Sequence, residues 1–503
     1  MRHTMAAVLG AATLATVLAP ASAQGPAAIR VVEDAADALG GKGRILAVRT
    51  LIIEGYGSNP NIGQAMTPEA EPLLWMLPDY TRRIDLQNGR MELSFIRRPA
   101  FPVVFDNARQ TQRLDADLAY NQPAAGGRGG AVAAPARLPA QAVKDRRVDM
   151  LQHPLTIVRA ALDPAARVTN RRQTGANQSV DITTAQGDTL TLTVDSLKRP
   201  ISVRTAVYHQ NLGDTERVTT FGAYEDLDGI RVPKRMVTRL DKWIEYDIGV
   251  MKNTLDADLS ALAAPAAIRS AALAAANPPL NLMVADVAPG IWFVTGGGNP
   301  CVIVEFADHV ALIEVAGGDA RVQALIAKAR ALVPGKPVTQ AIITHHHFDH
   351  TGGLRAAVAQ GLTIVTHKVN EAWFREAVTR RHSMQPDALA QSPRPLKIVT
   401  FEDSYTMKDS ARELILYHLA NSTHGDGILS AYFPRERIWV EVDVWNPGAQ
   451  IQPHARSVAD ELARRKLQID RVIPMHGNQV RPYAELEKVL QEWSSRRATT
   501  TGS

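Results

Sequence analysis

The run Thr344-His345-His346-His347-Phe348-Asp349-His350 places four metal-ligating side chains within six residues. It follows an apolar stretch, Ala341-Ile342-Ile343, that reads as a strand, and in extended chain side chains two apart point the same way. His345 and His347 then face one metal ion. The turn through Phe348 sends Asp349 and His350 in another direction, toward a second ion, as in two-metal hydrolytic sites where the metals activate a water. Thr351-Gly352-Gly353 permits close backbone packing and opens a helix over 354–359. A histidine tag would be terminal and longer and would carry no acid at a fixed place.

The elements needed to position this run follow from pattern. Residues 27–39 read as a helix stopped by Gly40-Gly41. Residues 45–54 are β-rich. Three further strand pairs, 82–86 with 91–96, 178–184 with 189–197 and 218–227 with 230–240, flank Asn88-Gly89, Gln186-Gly187-Asp188 and Asp228-Gly229, so an antiparallel meander is expected. A loop rich in Ala, Gly and Pro, 121–141, sits inside it. Past a second such stretch, strands at 291–294, 301–306, 310–315 and 338–343 alternate with helices at 320–332 and, near the end, 483–493. The fold class expected is α+β.

A chain of 503 residues exceeds the roughly 250 to 300 residues at which one core stops growing. The expected division is 1–23 signal peptide, 24–262 β-rich domain, 263–281 Ala/Pro-rich linker and 282–503 catalytic domain. Arg2 and His3, an apolar run over 5–18 and Ala21-Ser22-Ala23 before Gln24 have the layout of a secretory signal. The apolar run is shorter than the roughly 20 residues that span a bilayer, so the expectation is a periplasmic or secreted protein with no integral membrane segment after cleavage. The sole cysteine, Cys301, lies in a strand-like run and reads as a small buried hydrophobe. A net charge of +5, with Arg97-Arg98, Arg171-Arg172 and Arg380-Arg381 as short isolated clusters that lack an interleaved aromatic pattern, gives no nucleic-acid footprint. A small-molecule substrate is the expected partner; oligomeric state is not written in the sequence. Eleven of 14 histidines lie beyond residue 300, which places the chemistry in the C-terminal half.

Over 282–493 the chain resembles the metallo-β-lactamase superfamily, whose His-x-His-x-Asp-His signature is matched by His345, His347, Asp349 and His350. The resemblance implies an αββα sandwich. It implies a next ligand at His424, in Ser422-Thr423-His424-Gly425-Asp426, a bridging carboxylate at Asp443 after Trp439-Val440-Glu441-Val442, and a last ligand at His476, in Pro474-Met475-His476-Gly477. By that carry-over His345, His347 and His424 hold the first metal, Asp349, His350 and His476 the second, and Asp443 bridges them. Two zinc ions are the default, and iron and manganese accept the same donors. His346 points opposite to its neighbours and reads as packed or supporting. His367 and His418 read as satisfied buried imidazoles; His454, in a loop, can reach the site. Glu441 is the weaker competitor for the bridge, and Tyr432 and Trp445 are explained by packing as well as by pocket lining.

The same resemblance implies hydrolysis by a metal-bound hydroxide, with Asp349 as the catalytic acid-base group. β-Lactam-cleaving members generally have Cys or Ser at the bridging position, so Asp443 favours a small ester, lactone, thioester or amide. Hydroxyacylglutathione hydrolases add a helical domain after the last histidine, whereas only 477–503 follow here. Alternatives are a β-lactam-hydrolysing enzyme, an iron-dependent persulfide dioxygenase, and a periplasmic binding protein with structural metals. Over 27–255 the helix, the strands and Tyr224-Glu225-Asp226-Leu227-Asp228-Gly229-Ile230-Arg231-Val232-Pro233 resemble the open β domains of outer-membrane lipoprotein carriers, which implies an apolar ligand or a cover for the catalytic half.

Overall fold

The computed structural model describes residues 25–103, 107, 109–122, 136–276, 279–448 and 452–500. The expected signal peptide, and residues 123–135 of the expected Ala/Gly/Pro-rich loop, lie outside the described residues. Helix α1 (Pro26–Ala38) buries Val31, Val32, Ala35 and Ala36 along one face, the spacing an amphipathic helix requires. Helix α2 (Lys42–Ala47) occupies the start of the stretch expected as a strand, and β1 begins only at Thr50 (Thr50–Ser58). The reason lies in the backbone carbonyls. Ile45, Leu46 and Val48 all present theirs to one Arg159 nitrogen, at 3.0, 2.7 and 2.8 Å, a convergence that a pleated strand cannot make.

The remaining N-terminal elements are β2 (Trp75–Asp85), β3 (Arg90–Pro99), β4 (Arg109–Asp115), β5 (Leu118–Gln122), α3 (Ala140–Met150), α4 (Pro154–Ala161), β6 (Arg167–Thr174), β7 (Asn177–Thr183), β8 (Thr189–Val194), β9 (Pro200–His209), β10 (Gly213–Leu227), β11 (Ile230–Leu240) and β12 (Trp243–Leu255). All twelve strands form one antiparallel sheet in the order β5-β4-β3-β2-β1-β12-β11-β10-β9-β8-β7-β6. The expected hairpin turns are present. Asp228 and Gly229, at φ 53° and 79°, join β10 to β11 with both central residues left-handed, the twist that suits a tight hairpin. Helices α1 and α4 bury Val32, Ala36, Leu155 and Val158 against Ile53, Ile84, Val180 and Val203 of the sheet.

Helix α5 (Ala266–Ser270) falls in the Ala/Pro-rich stretch and packs back onto the β4–β5 end of the sheet through Ile268, while Arg269 bonds Asp115 at 2.9 Å. A seven-stranded sheet then runs in chain order through β13 (Met283–Ala288), β14 (Ile291–Thr295), β15 (Cys301–Glu305), β16 (Val310–Ile313), β17 (Val338–Ile342), β18 (Thr363–His367) and β19 (Lys397–Phe401). Between its strands lie α6 (Asp319–Leu332), α7 (Phe348–Thr351), α8 (Leu354–Ala359), α9 (Glu371–Thr379) and α10 (Ala388–Gln391). A six-stranded sheet follows: β20 (Ser404–Lys408), β21 (Glu413–His418), β22 (Leu429–Phe433), β23 (Ile438–Glu441), β24 (Arg471–Pro474) and β25 (Arg481–Pro482), with α11 (Ala455–Arg465) and α12 (Tyr483–Thr500).

Strand β15 shows how the layers stack. Val302 and Val304 face the core between the two sheets, with Leu416, Ala431 and Val440. Cys301 and Ile303 face the opposite way, against Leu325, Ala357 and Phe374 of α6, α8 and α9. A strand buried on both faces must be apolar throughout. Helices α11 and α12 cover the far face of the second sheet with Val458, Leu462, Leu486 and Leu490. The C-terminal half is therefore an αββα sandwich and the whole chain α+β. Cys301 has no exposure, and burial pushes its thiol up to about 12, in keeping with a packing role. Leu212, Leu240 and Trp243 of the N-terminal sheet join the outer core of the C-terminal half, and Arg380 pairs with Asp241 at 2.8 Å across the same contact. No helix among the described residues is long and apolar enough to cross a membrane.

Candidate metal centre

Strand β17 pairs in parallel with β16 and β18 through Ile342 and ends there, so the histidines lie on the loop beyond it. That loop is pinned. The Thr344 N–H donates to Glu314 Oε1 at 3.0 Å, and the Leu429 N–H donates to the Thr344 carbonyl at 3.1 Å. Although the strand has ended, the His345 and His347 rings still meet at 4.4 Å between centroids. The chain then turns into α7, which carries Asp349 and His350.

The second sheet supplies the rest. His424 lies on the loop after β21, Asp443 just beyond β23 and His476 just beyond β24. Asp443 is left-handed, at φ 61°, and the turn that holds it is fixed by Glu441, whose Oε1 accepts the N–H groups of Val444 and Trp445 at 2.5 and 3.0 Å. Glu441 thus spends one oxygen on the backbone and belongs to neither ligand group.

All seven residues expected as ligands converge. His345, His347, His424 and Asp443 offer atoms within 4.8 Å of one another, and so do Asp349, His350, Asp443 and His476. Asp443 belongs to both groups. Its Oδ2 lies 3.3 Å from His345 Nε2, 3.1 Å from His350 Nε2 and 2.9 Å from His424 Nε2, and its Oδ1 lies 2.6 Å from His476 Nε2. In the first group His345, His347 and Asp443 are buried and His424 is half-buried; in the second, Asp349 and His476 are exposed at the rim. A third group comprises exposed Asp308 with half-buried His309 and Asp409, and Asp409 Oδ1 caps the Ala411 and Arg412 N–H groups.

The donors fit divalent cations. His347 Nδ1 is buried with no hydrogen-bond partner, and a buried lone pair left unused costs about 1–3 kcal/mol; His345 Nε2 and His424 Nε2 face Asp443 Oδ2. Burial, then the neighbouring His350, pushes His345 down to about 3, and burial holds His347 well below the usual histidine value; both are neutral, the form that ligates. Burial would raise Asp443, but the imidazoles of His350, His476 and His424 outweigh it and hold its carboxyl well below the usual range. Burial would also raise Asp349, and the hydrogen bond and charge of His350 reverse this.

Sequence reasoning missed three supporting residues. Glu314, fully buried, sets Oε2 3.1 Å from His350 Nδ1. A lone acid in Leu312-Ile313-Glu314-Val315-Ala316 was the available signal, since a buried carboxylate demands a partner. Asn299 donates to Asp349 Oδ2 at 3.1 Å and is held in place by buried Arg321, whose guanidinium bonds the Asn299 carbonyl at 2.6 Å. Gln64, from the N-terminal half, donates to Asp349 Oδ1 at 2.6 Å. Among the weighed neighbours, His346 is buried beside His347, with ring centroids 4.9 Å apart. His367 and His418 have backbone partners, the carbonyls of Glu402 and Asp426. His454 does reach the site, with its ring 5.2 Å from that of His424. Tyr432 and Trp445 are packed into the core of the C-terminal half. A cavity of about 890 Å³ lies far from these ligands, among Leu46, Leu86, Met150 and Leu162 of the N-terminal half; ligand convergence, not cavity size, locates the chemistry.

A layered αββα domain with two joined His/Asp ligand groups at the ends of its strands defines a metal-dependent hydrolase fold. Residues 294–436 match the sequence model of the metallo-beta-lactamase superfamily, which places a domain of that superfamily at those residues. Solved structures similar to the chain include a metallo-beta-lactamase from Pontibacter korlensis, at 18% identity over 42% of this chain and 99% of that one, with a TM-score of 0.33. A metallo-beta-lactamase from Pseudomonas aeruginosa in its mono-zinc form shares 15% identity over 43% of this chain and 96% of its own (TM-score 0.33). One from Hirschia baltica shares 16% over 42% and 97% (TM-score 0.32). No curated protein matches the chain in sequence.

Proposed function

We propose that the protein is an exported hydrolase with two zinc ions that cleaves a small ester, lactone, thioester or amide. The observation that carries this reading is the sharing of Asp443 between two ligand groups. His345, His347 and His424 would hold one ion, Asp349, His350 and His476 the other, with Asp443 between them. Such ions supply Lewis acidity, bringing the pKa of a bound water to about 7 and polarising a carbonyl.

The chain's own residues do the rest. Asp349, ionised at neutral pH and exposed at the rim, accepts a hydrogen bond from the attacking water, orients it and takes its proton. Asn299 brings a neutral N–H donor to the same rim. Glu314 and Thr344 orient the imidazoles of His350 and His345, the latter through a 3.1 Å contact with Nδ1, as outer partners of metal-binding histidines do. The N-terminal sequence pattern supports export.

The test is metal quantification of the purified protein coupled to a panel of lactone, thioester, phosphodiester and β-lactam substrates. About two zinc ions per chain and lactone, ester, thioester or amide cleavage are expected, and Asp349→Ala should abolish turnover and lower metal content in a folded protein. One iron and no zinc, or turnover by Asp349→Ala at the wild-type rate, would overturn the reading.

A further inference from the structure

The segment between β1 and β2, residues 59–74, is rooted in the N-terminal sheet. The Asn59 N–H donates to the Trp75 carbonyl at 2.8 Å and the Asn61 N–H to that of Leu73 at 2.9 Å. Asn59 Nδ2 holds the Glu245 carbonyl at 2.7 Å. Its tip reaches the other half of the molecule, and four consecutive residues there each hand one polar group to a ligand-bearing loop. The Gly63 carbonyl accepts the Phe348 N–H at 3.1 Å, and the Met66 carbonyl accepts the Asp426 N–H at 2.8 Å. The Ala65 carbonyl lies 3.0 Å from His347 Nε2, and Gln64 Nε2 lies 2.6 Å from Asp349 Oδ1. The approach is too close for a side chain at position 63, where a Cβ would stand 2.2 Å from Phe348 Cγ.

Two of these contacts fix chemistry. A carbonyl can only accept, so His347 Nε2 carries the proton and its lone pair is at Nδ1, the buried nitrogen without a partner. Asp349 has a side chain 39% exposed and is held from two sides, Oδ2 by Asn299 and Oδ1 by Gln64. With Oδ1 on Gln64, its Oδ2 stands 3.4 Å from His350 Nε2 and 3.6 Å from His476 Nε2.

We infer that the β1–β2 segment of the N-terminal half is a working part of the metal centre, with Gln64 a positioning residue that aims Asp349 Oδ2 at the second ligand group and the Ala65 carbonyl setting His347 as an Nδ1 ligand. This rests on the metal-hydrolase reading above. Metal uptake and docking of the two halves are then coupled.

The experiment uses the full chain, stripped of metal and titrated with Co²⁺, comparing wild type, Gln64→Ala and Gln64→Glu. Gln210→Ala is the control, since Gln210 bonds the Gly317 and Gly352 carbonyls across the same contact without touching a ligand. Gln64→Ala should shift the visible Co²⁺ spectrum and weaken uptake of the second equivalent by about tenfold, the scale of outer-partner losses. It should also lower kcat with KM within about twofold, because Gln64 acts through Asp349 and not on substrate; Gln64→Glu, which sets two carboxylates together, should lose more. Gln210→Ala should match wild type. Wild-type spectrum and affinity in Gln64→Ala, or equal changes in Gln210→Ala, would overturn the inference alone. A wild-type protein that takes up no Co²⁺ would overturn the hydrolase reading and this inference with it.

Discussion

Glu314→Gln isolates the support of His350. Glu314 Oε1 accepts the Thr344 N–H at 3.0 Å, and Oε2 faces His350 Nδ1 at 3.1 Å. Glutamine of the same length keeps the first bond and sets an NH₂ against the ring nitrogen. If Nδ1 keeps its proton, two donors meet in a site with no exposure; if the proton moves to Nε2, the atom that faces Asp443 at 3.1 Å ceases to be a ligand. The loss is that of the ion-pair contact between Glu314 Oε2 and His350 Nδ1, set at the scale of a polar contact to a charged group, about 1.5–3 kcal/mol. At about 1.4 kcal/mol per factor of ten, the second metal equivalent should bind about tenfold to about a hundredfold more weakly. The first equivalent should be little changed, since none of the contacts at His345, His347 or His424 involves Glu314. Calorimetric titration of the metal-free variant with Zn²⁺ resolves the two steps, and circular dichroism checks the fold. A second-step affinity within about twofold of wild type, in a folded variant, would refute the orienting role of Glu314.

Two further predictions concern stability and reactivity. His153 is fully buried at the N-terminus of α4, accepts the Leu155 N–H through Nδ1 at 3.2 Å, and is held down to about 3 by burial and then by Arg82. The unfolded chain takes up this proton below about 6.5 and the native one does not, so stability should fall as pH drops from 6.5 toward 3, by up to about 1.4 kcal/mol per pH unit for this one group. His153→Asn keeps a capping acceptor and should flatten the slope measured by urea unfolding at a series of pH values; an unchanged slope would exclude His153 as its source. Cys301, without exposure and with its thiol pushed up to about 12, should be silent to a chromogenic disulfide reagent until denaturant is added. Stoichiometric labelling of the native protein would contradict its place in the core.

Legibility in the sequence followed the range of the interaction. Hairpins declared themselves because Asn88-Gly89 and Asp228-Gly229 fix their own backbone, with φ values of 63° at Gly89 and 53° at Asp228. The start of the expected strand at 45–54 gave way to α2, while residues 50–54 do lie in β1, because carbonyls at the start are claimed by Arg159, more than a hundred residues away. Helix α3 passed unread because Ala140–Met150 carries too weak an apolar stripe, burying Val143 and Val148 beside Arg146. The pairing of β1 with β12 has no local signature, being set by which edges remain open. At the centre, His345, His347, Asp349 and His350 were visible as one short run, and the superfamily resemblance pointed to His424, Asp443 and His476. Gln64 and Ala65 were invisible because nothing near them in sequence has chemistry; their role exists only once a distant loop arrives.

The place of β1 in the sheet also orders events during synthesis. Its register sets Leu51 opposite Leu255, so until residue 255 has left the ribosome the strand that roots the segment 59–74 has one edge unpaired. The ligand loops beginning at residue 344 come later still in the chain. The catalytic half is thus the last part of the chain to be made, after every strand of the sheet that receives it. Expressed alone, that half would leave His347 Nε2 and the Phe348 and Asp426 N–H groups without the carbonyls they meet in the full chain.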